Sequence, residues 1–339
     1  MKIIFAEAEL VLQELFLKIP VVRDFQINAR EEHGFYAEIH MRGNEYRTIY
    51  VATLDRAVPQ RVTTVISQRR NGTDYMVIMA PYISEASAKI CEEAGIGYCD
   101  YSGNCMICLD TLYVFNKGNP NKYPKEDHAK TVFNPSARTT SMILRELMKD
   151  VSKVWKIKAL SEKVGCSIGM VSRVKTYLCE QQWAAMDQSG LKIVAPEALM
   201  KEWSKAYMIR DMIGCYTYDS IPEFEGKCFK ACLEEGVELC LSGISGGVRY
   251  APVVRYTKTH IWISPKDVSV FLQMTGCKIV DSGANVVLYI ASGQEVFMDC
   301  REINNSIVAS PVQVYLDCMR IKGRGEEMAE AVFTKEIRK

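Results

Sequence analysis

Cationic and hydrogen-bonding side chains are concentrated between residues 158 and 192, with few carboxylates among them. In the predicted helix at residues 168–182, no acidic residue occurs before Glu180. Such side chains donate hydrogen bonds to DNA phosphates, and an arginine can bind both acceptors on the major-groove edge of guanine. The residues that we expect to contact DNA are Lys158, Ser167, Gly169, Met170, Ser172, Arg173, Lys175, Thr176 and Lys192.

Arg173 is the best candidate for reading a guanine base, although a phosphate contact fits its chemistry equally well. Gly169 lacks a side chain and so lets the backbone approach the duplex closely. Lys158 and Lys192 are expected to contact phosphates. The three hydroxyl residues can bond phosphates or base edges; these are Ser167, Ser172 and Thr176.

Three helices and a hairpin must position these side chains. Apolar spacings of three and four residues predict helices at residues 139–150, 158–164 and 168–182. Gly165 can adopt the left-handed conformation that ends the second helix, and Ser167 can cap the third. Residues 183–186 and 191–194 then read as a hairpin around the sequence DQSG. This order is typical of a winged helix-turn-helix.

The apolar side of the third helix is expected to pack into the core of this unit. Its predicted core residues recur every three or four positions, which places them on one helix face. They are Ile168, Val171, Val174 and Leu178.

Charge by segment supports a polyanionic partner for the same region. Residues 135–205 hold 12 Lys and Arg against 7 Asp and Glu, a net charge of +5. Residues 1–134 and residues 206–339 each hold 15 against 17, a net charge of −2 apiece. Since the whole chain carries a net charge of only +1, we exclude a uniformly basic protein that coats nucleic acid. Two alternatives stay open: a winged unit that contacts protein instead of DNA, and a chance pattern.

The 339 residues predict a multidomain α/β and α+β protein with three parts. We place an α/β domain at residues 1–130, the winged helix-turn-helix at 131–205 and an α+β domain at 206–339. A polar, proline-bearing stretch at residues 118–128, ending at His128, makes the best linker.

The order of elements in the first domain is that of an α/β fold. Ser84 is expected to cap one helix and Gly95 to end it, and Asn71-Gly72 to end another. Helices are predicted at residues 6–17, 56–70 and 85–94, and strands at 35–41, 46–53, 75–80, 97–100 and 105–115.

Metal, cofactor and catalytic motifs are weak. The 13 cysteines include one CxxC, Cys105 to Cys108, without a second pair, and the four histidines lie far apart. The Gly-rich stretch SGISGG at residues 242–247 lacks the spacing of a P-loop or a dinucleotide turn, so we interpret it as a tight connection. We therefore expect no catalytic residue, no metal and no cofactor.

The sequence also bears on localisation. Acidic residues within the first 20 positions, such as Glu7 and Glu14, argue against a signal peptide. The apolar runs are far shorter than the ~20 residues of a spanning helix. Reduced cysteines then suit a cytoplasmic protein without membrane association.

Several motifs resemble those of AbiEi-like antitoxins from type IV toxin–antitoxin systems. They are residues 80–84 (APYIS), 94–98 (AGIGY), 100–104 (DYSGN), 168–174 (IGMVSRV), 283–287 (GANVV), 310–317 (SPVQVYLD) and 323–330 (GRGEEMAE). The resemblance implies a transcriptional regulator that represses its own operon through the winged unit. It also implies a nucleotidyltransferase-like toxin as partner. Paired half-sites in an operator would suit a homodimer on double-stranded DNA.

The first domain additionally resembles the restriction-endonuclease-like fold. Active members carry an acidic residue on one core strand and Glu-x-Lys on the next, and the corresponding strand here, RTIYVAT at residues 47–53, lacks both the glutamate and the lysine. Glu38 and Asp55 could bind a metal in principle, which leaves a divergent metal-dependent nuclease as an alternative. We expect an inactive fold and no enzymatic activity.

Overall fold

The computed structural model describes residues 2–43, 45–68, 74–109, 112–123, 132–134 and 136–338. The chain divides into two compact units: Met1–Asp127 with Glu180–Gln182, and His128–Cys179 with Trp183–Lys339. The predicted boundary at 130/131, His128 and the predicted helix end at Asn71-Gly72 lie outside the described residues. The predicted division into three domains stays a prediction.

A seven-stranded mixed sheet forms the centre of the first unit, with its strands in chain order. The pairs β3–β4 and β4–β5 are parallel, and all the others are antiparallel. The elements of this unit are α1 (Lys2–Leu17), β1 (Val22–Glu31), β2 (Gly34–Met41), β3 (Tyr46–Thr53), α2 (Pro59–Ser67), β4 (Tyr75–Ala80), α3 (Glu85–Glu93), β5 (Gly97–Asp100), β6 (Cys105–Leu109) and β7 (Leu112–Asn116).

Strand β4 is buried on both faces, as its continuous apolar run predicts. Val77 and Met79 belong to the core that α1 covers, whereas Met76 and Ile78 belong to the core beneath α2 and α3. The cap of α3 is also confirmed, because the Ser84 side chain accepts a hydrogen bond from the amide of Ser87.

The structure adds to the sequence interpretation of this unit in two places. Strand β1 was not among the predicted elements, although Phe25, Ile27 and Ala29 alternate with polar residues as in a strand. The single strand predicted at 105–115 is the antiparallel pair β6–β7. Apolar residues lie on both sides of Asp110 and Thr111, so the sequence pattern does not show where one strand ends and the next begins.

The second unit begins with three helices and a hairpin and continues into a larger α/β part. Its elements are α4 (Arg138–Lys149), α5 (Ile157–Val164), α6 (Ile168–Glu180), β8 (Ala184–Met186), β9 (Leu191–Ile193), α7 (Pro196–Ala206), β10 (Met212–Tyr216), α8 (Ile221–Glu234), β11 (Leu239–Ser242), α9 (Gly243–Tyr250), β12 (Thr259–Ile263), α10 (Val268–Thr275), β13 (Lys278–Ile279), β14 (Val286–Ile290), β15 (Arg301–Ile303), β16 (Ser306–Val308), α11 (Pro311–Cys318) and α12 (Gly325–Val332).

The larger part contains a second mixed sheet, of order β13-β10-β14-β12-β11-β16-β15. We predicted a tight connection at the stretch SGISGG. Its first residue, Ser242, instead ends strand β11, and helix α9 begins at the next residue, Gly243. One hydrophobic cluster runs from Ile143 and Val174 in the helical part to Leu241 and Val314 in the sheet part. The two parts therefore share one continuous core.

A buried polar network lies where these parts meet. Arg145 of α4 is 5% exposed and donates through Nη2 to Oε1 of Gln313 at 2.6 Å. Gln313 in turn donates to Oδ1 of Asp317 at 2.8 Å, as does the hydroxyl of Tyr207 at 2.7 Å. The indole N–H of Trp262 donates to Oδ2 of the same carboxyl at 2.6 Å. Helix α4 is thus bonded to α11 across the shared core.

Candidate nucleic-acid interface

The turn between α5 and α6 has the conformation that the sequence predicts. Gly165 is left-handed, at φ 71°, and ends α5. The Cys166 amide donates to the carbonyl of Ser161 at 2.9 Å, and Oγ of Ser167 accepts from the amide of Met170 at 3.3 Å. These bonds use backbone groups that helix ends leave unpaired, so they fix the angle at which α6 begins.

Helix α6 packs into the core of the second unit through one face. Val171, Val174, Tyr177 and Leu178 are buried in the core shared with α4 and α5. Ile168, which we predicted in this core, is instead 52% exposed. It is the first residue of the helix, and the buried part of the apolar face begins at Val171.

The predicted contact residues of α6 fall into two groups. Gly169, Arg173 and Thr176 are exposed and lie at spacings of four and three, so they share one face of the helix. Ser167, just before the helix, is exposed as well. The half-buried residues, which flank this face, are Met170, Ser172 and Lys175.

The hairpin β8–β9 presents Lys192 to solvent, because Leu191 and Ile193 on either side of it point into the core. The hairpin pairs Ala184 with Ile193 and Met186 with Leu191. The predicted hairpin is therefore present, with strands one residue shorter at the outer ends.

A further strand contact fixes the hairpin, and we did not predict it. Trp155 and Leu191 exchange both backbone hydrogen bonds, each at 2.8 Å. Gly190 makes this approach possible, because a Cβ atom there would lie 2.6 Å from the carbonyl oxygen of Trp155. A one-residue bridge leaves no periodic pattern, so no sequence signal could have revealed it.

Lysines surround the hairpin turn. Nζ of Lys156 donates to the carbonyl of Gln188 at 2.7 Å, and Nζ of Lys153 lies 3.5 Å from the ring centroid of Trp155. Asp187 is the acid in the turn, and hydrogen bonds from Ser189 hold its pKa below the usual range. The Asp187 carboxylate therefore accepts its hydrogen bonds within the turn.

Lys158 stands apart from the other predicted contacts. It lies in the first turn of α5, is exposed, and its Nζ is 3.9 Å from Oε1 of Glu162. An exposed pair of this kind is weak, so it leaves the lysine able to exchange its partner for a phosphate.

Two acidic residues considered for a metal site are far apart. Glu38 is opposite Thr48 in the pairing of β2 with β3, whereas Asp55 follows Thr53 at the end of β3. The five steps from Thr48 to Thr53 alone span roughly 16 Å. The two carboxylates therefore cannot share one metal ion, and Asp55 is paired with Arg61. In the described part of the chain, no group of three or more His, Cys, Asp and Glu residues is placed to hold a metal.

The fold and this surface define a mixed α/β protein with an exposed, cationic helix–hairpin unit. Residues 192–338 match a protein family described as "Transcriptional regulator, AbiEi antitoxin, Type IV TA system". The resemblance to AbiEi-like antitoxins is thus confirmed over this range, which begins in β9 and covers the sheet part of the second unit. Comparison with curated proteins and with solved structures gave no match. Among the described residues, no helix is long and apolar enough to cross a membrane.

Proposed function

We propose that the chain is a sequence-specific DNA-binding transcriptional regulator of the antitoxin type, and that α4–α6 with β8 and β9 act as its winged helix-turn-helix. The observation that carries this proposal is the exposed face of α6. Gly169, Arg173 and Thr176 line it, no acidic residue precedes Glu180 in the helix, and the opposite face is buried in the core. A helix fixed in this way can enter a major groove about 12 Å wide.

The proposed contacts divide by chemistry. Arg173 reads a guanine, the hydroxyls of Ser167 and Thr176 bind phosphates or base edges, and Lys158 and Lys192 bind phosphates on either side. Ile168 adds a contact that the sequence interpretation did not include. As an exposed apolar side chain at the start of the recognition helix, it suits the methyl group of a thymine.

The regulator is proposed to act in the cytoplasm, as a homodimer that represses its own operon and neutralises a nucleotidyltransferase-like toxin. The family match over residues 192–338 supports the antitoxin role. A dimer would place two α6 helices on two half-sites about one helical turn apart. No enzymatic reaction is part of this proposal.

Titration of the promoter upstream of the gene in an electrophoretic shift assay tests the DNA-binding role. Arg173→Ala should raise the Kd for that duplex by about 5–150-fold, because a bidentate contact to guanine contributes roughly 1–3 kcal/mol. Lys205→Ala serves as the control, since Lys205 is exposed on α7, pairs with Glu202 and is not among the proposed DNA contacts. It removes the same charge and should change the Kd less than twofold.

Equal Kd values for Arg173→Ala and the wild type would remove Arg173 from the interface. Failure of the wild type to discriminate its promoter from unrelated duplex DNA would overturn the regulatory proposal itself. Co-purification with the product of an adjacent gene tests the toxin partner separately, since it requires no DNA.

A further inference from the structure

Strand β7 forms an open edge of the sheet in the first unit. It is the last strand in the order β1 to β7, so among the described strands only β6 lies beside it. Its residues, LYVFN at positions 112–116, include no charged side chain and no proline. A strand of this kind offers unpaired backbone N–H and C=O groups on which another strand can assemble.

The other outer strands of the two seven-stranded sheets are protected against such pairing. Strand β1 carries four charged residues and two irregularities in its pairing with β2. Strand β13 spans two residues, one of them Lys278, and β15 spans three, which include Arg301 and Glu302. Charges, bulges and short length are the devices by which proteins prevent edge pairing. Strand β7 has none of the three.

The register of β7 shows which of its backbone groups point outward. The Cys108 amide donates to the hydroxyl of Tyr75 at 2.9 Å, so it is not bonded to β7. Cys108 lies opposite Tyr113 in the pairing of β6 with β7. Because opposite residues of an antiparallel pair either exchange both bonds or neither, Tyr113 directs its N–H and C=O away from β6. Phe115, two positions further on, has the same orientation.

The side chains of the same two residues form an exposed aromatic pair. Tyr113 is 64% exposed and Phe115 is 54% exposed. Their rings are stacked, with centroids 6.3 Å apart and planes 10° from parallel. Leu112 and Val114, which alternate with them, pack instead in the core that α1 covers. The strand is therefore fixed through one face and presents large apolar rings on the other.

We propose that β7 pairs in antiparallel direction with β7 of a second copy of this chain, about a two-fold axis at Val114. In this register Tyr113 of each copy lies opposite Phe115 of the other, and both of these pairs exchange both backbone hydrogen bonds. The two sheets become one continuous sheet across the axis. The four aromatic rings then cover one another, since opposite residues of paired strands lie side by side.

Symmetry favours a second copy over a strand of another protein. A two-fold interface requires the same surface on both partners to be complementary to itself. The outward groups of β7 meet this requirement, because Tyr113 and Phe115 flank Val114 symmetrically and are both aromatic. No charge within 112–116 faces a like charge across the axis. The inference deepens the proposed function, on which it rests for its role, by specifying the interface of the homodimer.

The small size of this edge sets the expected strength of the dimer. A standard interface buries about 800 Å² on each partner, from roughly 20–30 residues a side. Five residues and their aromatic rings form a smaller contact, so we expect a Kd on the order of micromolar.

Sedimentation velocity of the full chain without DNA tests the proposal, at concentrations from about 1 to 100 μM. The mass should rise from that of one chain to that of two. Tyr113→Lys/Phe115→Lys places lysines opposite each other across the axis and should raise the dimer Kd by about tenfold or more. Phe115→Pro should do the same, because it removes an outward N–H while the bonds between β6 and β7 remain.

The matched control is Leu10→Lys/Tyr218→Lys, which replaces two exposed apolar residues outside β7 with the same two charges. It should leave the dimer Kd within about twofold.

Cross-linking tests the register, in a Cys108→Ser background that removes an exposed cysteine of β6. Across the two-fold axis the two copies of Val114 form a non-bonded pair with Cα atoms about 4.5 Å apart, within the range of a disulfide. Val114→Cys should therefore give a covalent dimer with copper phenanthroline. Asn116→Cys should not, because its two copies lie about 14 Å apart along the strands.

Three results overturn the proposal: a monomer at every concentration, a dimer Kd unchanged in both β7 variants, or equal cross-linking of Val114→Cys and Asn116→Cys. The DNA-binding proposal fails separately. A monomer that still shifts its promoter removes only the β7 interface, whereas a β7 dimer that does not discriminate the promoter removes only the regulatory role.

Discussion

At the scale of single residues, burial decides the chemistry of His260. Its ring is held neutral in the folded protein, whereas in the unfolded chain it has an ordinary pKa near 6.5. Tyr289 stacks on it, and Lys258 adds a repulsive charge. The folded protein therefore resists protonation at this position.

We expect this histidine to make stability depend on pH. Between pH 6.5 and pH 4 the unfolded chain binds a proton that the folded protein does not, so stability falls as the pH is lowered through this range. The pKa difference corresponds to about 3 kcal/mol at most. Thermal unfolding at pH 7 and pH 5 measures the loss, and His260→Phe should reduce it. If His260→Phe and the wild type lose the same amount, the ring is not held neutral by the fold.

The residues that could be predicted from the sequence are those whose role is set by the local backbone conformation. Gly165 and Ser167 were predicted correctly, because a left-handed helix end and an N-cap are set by local chemistry. Ile168 was placed wrongly, since periodicity gives the direction of a side chain but not where the neighbouring helices end. His260 is one of the four histidines that lie far apart in the sequence, and nothing in the sequence reveals that it stacks on Tyr289.

At the scale of elements, one close contact holds the hairpin in place. Gly190 adopts φ 141°, a conformation that other residues rarely take, and its backbone contacts Trp155. The bridge between Trp155 and Leu191 therefore joins β9 to the segment that precedes α5.

Gly190→Ala should break this arrangement, because the new methyl group would overlap the Trp155 carbonyl oxygen in addition to straining the backbone. We expect a loss of stability of about 1–3 kcal/mol, measured by urea denaturation. Gly169→Ala is a suitable comparison, since a Cβ atom at Gly169 meets only the Ser167 hydroxyl oxygen, at 3.9 Å. Equal denaturation midpoints for the two variants would show that the hairpin adapts to the added methyl group.

At the scale of the whole molecule, helix α4 contacts both the helical part and the sheet part of the second unit. Its apolar stripe, which the sequence marks clearly, packs with α5 and α6, whereas Arg145 points the other way into the polar network of Gln313 and Asp317. This second face could not be predicted from the sequence, because an arginine within an amphipathic helix is usually solvated. The partner residues lie almost 170 positions away.

Arg145→Ala should destabilise the second unit by about 2–4 kcal/mol, because it leaves a cavity beside Trp203 and removes the donor to Gln313. Arg145→Met should cost less, since it refills the space without a buried charge. Urea denaturation followed by tryptophan fluorescence measures both. The same loss for both variants would mean that the lost hydrogen bond dominates, and no loss for Arg145→Ala would show that the network does not hold α4 to α11.

The shared core and the bond from Arg145 to Gln313 also constrain how such a gene can change. A recombination event that exchanged only the helices proposed to read DNA with those of a distant relative would bring in a foreign α4. Its buried side would then face an α11 that had evolved with another partner. Under the proposed function, operator preference should accordingly change through point substitutions on the exposed side of α6, and α4 should be exchanged only together with α11.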